Sequence, residues 1–226
     1  MYKIGYLGNF EKVPQVVEYI LNSDVENLEK EYKNGWNIDK EIFIEEFATV
    51  TPLEIALQCN NEKVIKWLVE KGADITIKNK FGERPYTIAV LNENQEMIDY
   101  IKSLEPVDFH NEEARKSIIK KYKLPKDMVE FFNKGDLKIE FSENIDSKYI
   151  EFWKLEDTVE LTWKRKKYLS LVKDLENYWL HLLWYPKEKN IYIFDAEHEE
   201  IFKIGDWSYF INNCEEIIGK FLDGEL

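Results

Sequence analysis

Two segments of this 226-residue chain repeat each other at a fixed distance, and that periodicity constrains the fold more than any other feature. Thr51-Pro52-Leu53-Glu54-Ile55-Ala56 aligns with Arg84-Pro85-Tyr86-Thr87-Ile88-Ala89 at an offset of 33 residues. The same offset places Leu57 on Val90, Val64 on Met97, Ile65 on Ile98 and Leu68 on Ile101. Each copy reads as two short apolar helices around an Asn-rich turn, Asn60-Asn61 in one and Asn92-Glu93-Asn94 in the other. Pro52 and Pro85 suit a first helical turn, where no backbone partner is lost. Gly72, in Glu70-Lys71-Gly72-Ala73-Asp74-Ile75, can take the positive φ that ends a helix. Residues Ile75 to Gly82 are then expected to project as a hairpin before Pro85 opens the next helix. An earlier, degraded copy runs through Val13-Pro14-Gln15-Val16-Val17, Val25 to Tyr32 and Gly35-Trp36-Asn37-Ile38-Asp39. Its Gly35 lies 37 residues before Gly72, and the extra length is expected in a longer hairpin tip around Lys40 to Thr49, with apolar contacts from Ile42, Phe43, Ile44 and Phe47. Three such units over about residues 5–105 are enough to bury a continuous stack.

The 33-residue period, Thr-Pro-Leu, the small Ala56 and Ala89, and Gly-Ala-Asp-Ile together resemble the ankyrin repeat. The resemblance implies a helical solenoid of about three repeats that binds other proteins. Glu54 and Thr87 stand where the family usually has His, so the customary hydrogen bond between neighbouring hairpins is expected to be altered.

Past Pro106 the offset fails and the pattern changes, which sets an expected boundary between residues 1–106 and 107–226. Asn111 suits the N-cap of a helix whose first turn carries Glu112 and Glu113. Ile118, Ile119 and Tyr122 continue one apolar stripe, after which Pro125 starts a second helix and Gly135 ends it. Leu137-Lys138-Ile139-Glu140-Phe141 and Tyr149-Ile150-Glu151-Phe152-Trp153 alternate as strands do. Leu155 to Lys173 reads as helical or irregular. Tyr178 to Tyr185 and Ile191 to Phe194 are apolar runs joined by Pro186-Lys187-Glu188-Lys189-Asn190 and should pair as a hairpin. Ile201 to Ile204 is a last strand, and Asp206 caps one closing helix through Trp207, Phe210, Ile211, Cys214, Ile217, Ile218 and Phe221. The fold class expected is therefore an α stack followed by an α+β domain with an antiparallel sheet flanked by helices.

Leu124-Pro125-Lys126-Asp127-Met128-Val129-Glu130-Phe131-Phe132-Asn133-Lys134-Gly135, a sheet, and then Trp207-Ser208-Tyr209-Phe210-Ile211 resemble the SMI1/KNR4 family, also called the SUKH superfamily, over about residues 112–224. Lys134 intrudes between Asn133 and Gly135, and the family's Gly-rich stretch is missing around Tyr178 to Leu183.

The formal net charge is -13, with 12 basic against 20 acidic residues up to His110 and 19 against 24 beyond it. A chain this acidic lacks the cation density that grips phosphate backbones, and anionic lipid repels it. A basic protein is the natural complement, because opposite fields steer encounter; the same acidity also serves solubility. There is no run of 18 apolar residues and no charged n-region ahead of an apolar core, so neither a membrane span nor a signal peptide is expected, and the location expected is cytoplasmic. Cys59 and Cys214 are distant singletons in apolar patterns, suited to buried reduced thiols.

Catalytic constellations are missing. His110, His181 and His198 have no ligand spacing to another His or Cys, and no phosphate-binding loop, nucleophile elbow or helical zinc motif occurs. Glu45-Glu46, Glu112-Glu113 and Glu215-Glu216 are adjacent pairs, which do not share a helix face. No catalytic residue, cofactor or metal is expected. Lys164-Arg165-Lys166-Lys167, between Trp163 and Tyr168, is the sole basic run: it could stack and hold nucleic acid, and it equally suits a solvated loop or helix face. Of the seven Trp residues, those at 153, 163, 179, 184 and 207 fall in the second half, most of them as core and one or two as interface anchors.

Both resemblances imply a bacterial immunity protein that neutralises a polymorphic or contact-dependent toxin by binding it. Two acidic surfaces are candidates for the contact: Glu45, Glu46, Asp74 and Glu83 on the repeat hairpins, and Asp195, Glu197, Glu199 and Glu200 in the sheet domain. The alternative is a regulatory scaffold of the SMI1/KNR4 type, and an enzyme with an unrecognised site is a third reading. A monomer is favoured.

Overall fold

The computed structural model describes residues 14–45, 48–142, 145–176, 178 and 180–226, with the side chains of 44, 45 and 48 outside that description. The chain forms two compact units, one ending at Glu105 and one beginning at Pro106.

In the first unit three helical pairs follow one another: α1 (Gln15–Leu21) with α2 (Val25–Lys33), α3 (Pro52–Gln58) with α4 (Glu62–Glu70), and α5 (Pro85–Leu91) with α6 (Gln95–Leu104). Ser23, Asn60 and Glu93 turn each pair with a positive φ of 53–57°, and Asp24, Asn61 and Asn94 then cap the second helix by accepting from a backbone N–H three residues on. Asp24 and Asn61 keep the 37-residue spacing of Gly35 and Gly72, and Asn61 and Asn94 the 33-residue spacing of Pro52 and Pro85. The Asn side chains also stitch one pair to the next. Asn61 Nδ2 donates to Ile20 O at 2.6 Å, Asn94 Nδ2 to Asn60 Oδ1 at 2.7 Å, and Asn92 Nδ2 to Leu57 O. The core between the pairs is Val17, Ile20, Leu28, Leu53, Ile55, Ala56, Leu57, Val64, Ile65, Leu68, Ile88, Ala89, Met97 and Ile101.

The two matched pairs start differently. Thr51 Oγ1 accepts from Glu54 N at 3.1 Å, whereas Arg84 has no acceptor on its side chain. Thr87 takes over instead: its Oγ1 accepts from Arg84 N and donates to Arg84 O, both at 2.8 Å. The released guanidinium turns to the other end of the repeat. Its Nε lies 2.6 Å from Glu105 Oε1 and its Nη2 3.2 Å from Glu105 Oε2, with both side chains buried. Glu105 thus stands 33 residues after Gly72, where the second pair has its glycine.

Between the first two pairs lies an antiparallel hairpin, β1 (Ile42–Glu45) and β2 (Ala48–Val50), with Phe43 opposite Thr49. The segment from Ile75 to Gly82 differs from the expected hairpin: it is a series of turns with no strand ladder. Asn79 imposes this by binding its own neighbourhood, its N donating to Glu83 O at 2.8 Å and its Oδ1 accepting from Phe81 N and Glu83 N, each at 3.0 Å.

The second unit opens with α7 (Glu112–Tyr122) and α8 (Lys126–Asn133), closed by positive φ at Lys123 and Gly135. Its strands form two antiparallel sheets instead of one. β3 (Lys138–Glu140), β4 (Tyr149–Phe152) and β7 (Val172–Asp174) make a three-stranded sheet in the order β3-β4-β7. β5 (Val159–Trp163), β6 (Lys166–Ser170), β8 (Leu180–Tyr185), β9 (Asn190–Asp195) and β10 (Glu200–Gly205) make a five-stranded sheet in the order β10-β9-β8-β6-β5. The segment read from sequence as helical or irregular is therefore corrected: after a 3-10 turn at Leu155–Asp157 it is the hairpin β5–β6 followed by β7. The closing helix is also two helices, α9 (Trp207–Asn212) and α10 (Cys214–Leu222), broken at Asn213 with φ -125°.

One face of the large sheet packs Leu169, Leu180, Leu182, Trp184, Ile191 and Ile193 with residues of α8, α9 and α10. Phe131, Phe132, Phe152, Trp207 and Phe210 meet edge-on, tilted or stacked with centroids 5.0–6.3 Å apart. The indole of Trp184 donates to Tyr122 O at 2.8 Å. The other face carries Leu161, Trp163, Tyr168, Leu183, Tyr185, Tyr192 and Phe194, as the register requires. Trp163 on β5 and Phe194 on β9 touch at 4.8 Å although β6 and β8 lie between their strands, so the sheet curls strongly.

Candidate protein-binding surfaces

The loops of the first unit bring several carboxylates to one set of turns. Asp39 Oδ1 accepts from Asp74 N at 2.9 Å, tying the first loop to the second. The Asp74 carboxylate accepts from Thr76 Oγ1 at 2.7 Å and from Thr76 N at 2.8 Å, which holds it below the usual carboxylate range. It remains exposed. Glu83 is half-buried and accepts from Asn79 Nδ2 at 2.9 Å. The same amide donates to Glu54 Oε1 at 2.9 Å, so one Asn side chain sits between two carboxyls. Glu54 is only 5% exposed. Burial raises its pKa to about 7; Asn79 opposes the shift, and the carboxylates of Glu83 and Glu41 add to it. The expectation that Glu54 alters the customary inter-hairpin bond has a concrete counterpart: Glu54 accepts from the following loop through Asn79.

Phe43 stands on β1 with 60% of its surface exposed, beside the exposed Glu41. Glu45 pairs with Ala48 through the β1–β2 register, and its side chain lies outside the described residues, as does Glu46 altogether. Of the four carboxylates expected on this surface, the structure describes Asp74, held by Thr76, and Glu83, held by Asn79, both in the segment between α4 and α5. It adds Asp39, Glu41 and the aromatic Phe43. Asn79 was the signal available in the sequence: an Asn ahead of Phe-Gly-Glu marks a side-chain-supported turn.

The second candidate surface is the turn between β9 and β10. Asp195 organises it, accepting from Glu197 N at 2.9 Å, His198 N at 3.1 Å and His198 Nδ1 at 2.7 Å. Partial burial works against its charge, but these bonds outweigh it and keep its pKa low, while the Asp195 carboxylate raises that of His198. Asp195 therefore serves the turn, and the exposed Glu197, Glu199 and Glu200 form its outward surface. His198 is exposed with them and is a positive charge in their midst below its raised pKa.

The remaining residues of chemical interest are spread out. His181 lies between Ser170 Oγ, 3.4 Å from its Nδ1, and the Phe194 ring, and burial pushes its pKa down to about 3. Cys59 is half-buried and Cys214 buried, both as thiols, and burial pushes Cys214 up to about 12. Among the described residues no three His, Cys, Asp or Glu side chains converge as metal ligands. No helix among them is long and apolar enough to cross a membrane. Trp153, Trp184 and Trp207 are buried core, Trp163 is half-buried, and Trp179 lies outside the described residues.

Comparison with known proteins places part of the first unit. No curated protein matches the chain. Residues 51–101, from the cap of α3 to α6, match the family model for ankyrin repeats in many copies. Ankyrin repeats are generally non-catalytic and serve protein–protein interaction. Asp74, Asn79 and Glu83 lie within the stretch similar to ankyrin repeats, which indicates a protein–protein interaction module.

Proposed function

We propose that the chain is a non-catalytic immunity protein, acting in the cytoplasm of a bacterium, that neutralises a basic polymorphic or contact-dependent toxin domain by covering it. The observation that carries the reading is an acidic surface on the two segments between the helical pairs: Asp39 tied to Asp74, with Glu41 and a 60% exposed Phe43 on the first segment and Glu83 on the second. Interfaces concentrate their energy in a few aromatic and charged anchors, and a field of one sign steers an oppositely charged partner. The net charge of -13 acts in the same direction over the whole chain. In this reading the first helical pair is a third, diverged ankyrin repeat that completes a solenoid, residues 1–106 are the ankyrin domain, and 107–226 are an SMI1/KNR4-like domain. The resemblance of Leu124 to Gly135 and of Trp207 to Ile211 to that family supports the last assignment. Glu45 and Glu46 join the proposed contact on the ground of sequence, and Asp195, Glu197, Glu199 and Glu200 supply a second surface.

A scaffold of the SMI1/KNR4 type is the second reading, favoured by one feature: each unit carries its own acidic surface. Titration of the purified chain with the product of the neighbouring open reading frame separates the two. An immunity protein forms a tight 1:1 complex that weakens steeply with salt. Absence of any complex, together with several weak partners elsewhere, removes the immunity reading.

A further inference from the structure

We infer that the two-residue turn joining β5 to β6 is a docking tip for an acidic polypeptide segment. The turn is Lys164-Arg165, with φ of 45° and 65°. Trp163 faces Lys166 across it. Positive φ at both central positions is the type I′ pattern, in which Asn-Gly is preferred because a Cβ crowds the carbonyl in that region. Two long side chains here make the turn less stable than Asn-Gly would. Nothing local requires them: Lys164, Arg165 and Lys166 are all exposed, and among the described residues no carboxylate reaches ion-pair distance of any of the three. The next residue shows the contrast, since Lys167 Nζ lies 2.7 Å from Glu160. In a chain with 44 acidic against 31 basic residues, a run of cations at a strained turn, with only Lys166 in the longer-range field of Glu188, is the opposite of what composition favours. A local rule broken without a structural gain points to a use.

The surroundings define the ligand. Lys164 Nζ lies 5.3 Å from the Trp163 ring centroid and Lys166 Nζ 5.3 Å from that of Tyr185, and Trp163 is itself held against Phe194. Rings position ammonium groups without cancelling their charge. Between them Arg165 offers a planar fork, the geometry that binds a carboxylate through two parallel hydrogen bonds. The patch is short. A nucleic-acid strand running beyond it would meet Glu188, which accepts from Tyr192 on the same face, and the 24 acidic against 19 basic residues after His110 oppose an extended phosphate backbone. A segment with a few Asp or Glu side chains ends where the cations end. This tip belongs to the second unit and takes a partner of opposite sign to that of the ankyrin loops, so it stands apart from the function proposed above.

The test uses the full chain with a labelled Glu-rich peptide and, in parallel, an oligothymidylate of equal charge, read by fluorescence anisotropy. The peptide should saturate, bind more tightly than the oligonucleotide and weaken with salt. The double substitution K164N/R165G supplies the residues that the turn prefers. It should lower peptide affinity by at least about tenfold while melting at the same temperature as the parent or higher. Lys166→Gln leaves the turn intact and should lower the affinity by a smaller factor. Tighter binding of the oligonucleotide, peptide binding that survives K164N/R165G, no binding of either probe, or a lower melting temperature for K164N/R165G would each overturn the proposal.

Discussion

Bonds between neighbours in the repeat unit recur at separations close to one period: Asn92 to Leu57 spans 35 residues, Trp67 to Glu29 spans 38, and Asn61 to Ile20 spans 41. In the sheet unit there is no such rule. Trp184 reaches Tyr122 over 62 residues, Ser142 reaches Glu215 over 73, and β6 skips β7 to pair with β8. A stack gains stability one neighbour at a time, so a changed residue is absorbed within one interface, as when Thr87 takes over the capping that Arg84 cannot perform. A curled sheet with one aromatic core has no such compartments, and a change in that core is felt by the whole unit. The first arrangement leaves its loops open to variation and use, while the second fixes its strands and can vary only at its turns.

The most severe way to break this comparison is Trp207→Ala, which empties the centre of the aromatic core and should cost about 5 kcal/mol. Chemical denaturation followed by intrinsic fluorescence and by far-UV circular dichroism should show the sheet unit unfolding early. Loss of the repeat helices at the same denaturant concentration would refute independent cores. Next in size is Arg84→Met, which removes the ion pair to the buried Glu105 carboxylate and should cost about 4 kcal/mol. Exchange of both residues, Arg84→Met with Glu105→Leu, should recover most of that loss. Hydrogen exchange should confine the damage to α5 and α6; spread into α1 and α2 would contradict nearest-neighbour behaviour.

Glu54 supplies a pH test of the stack. Its folded pKa of about 7 lies above the ordinary glutamate value of 4.5, so the folded state holds a proton that the unfolded chain releases within that window. Stability therefore falls as pH rises from about 4.5 to 7 and is flat above, by at most about 3 kcal/mol. Glu54→Gln keeps an acceptor for Asn79 and should remove this slope, making the variant the more stable protein at pH 8. A slope unchanged in Glu54→Gln would place the titration elsewhere. The smallest effect is that of Asn61→Ala, which removes the cap of α4 and the bond to Ile20 and should cost about 1 kcal/mol, seen as a small shift in the denaturation midpoint.

What the sequence revealed follows the same division. The helical pairs were legible because Pro and the Asn turns recur at one offset and Gly35 and Gly72 close the first two pairs, each with a local conformational reason to be there. The β5–β6 hairpin was not, since Lys164-Arg165 gives no turn signal: the residues that normally announce positive φ are absent. The break at Asn213 was hidden because the apolar stripe from Trp207 to Phe221 continues across it. Ile75 to Gly82 carried the alternation of a hairpin, but Asn79 satisfies the backbone from its own side chain and no ladder forms. Of the candidate surfaces, the acidic composition was visible, whereas the burial of Glu54, the exposure of Phe43 and the use of Asp195 within its own turn depend on contacts distant in sequence or on local geometry.

The central claim is that the ankyrin loops block a basic toxin, and growth measures it most directly. The product of the neighbouring open reading frame should arrest growth, cells producing it should survive when the chain is co-produced, and they should lose that protection when Phe43→Ser is combined with Glu41→Lys and Asp74→Lys in a chain that still melts as the parent does. Continued growth arrest with the parent chain, or full protection by the triple variant, would contradict the account.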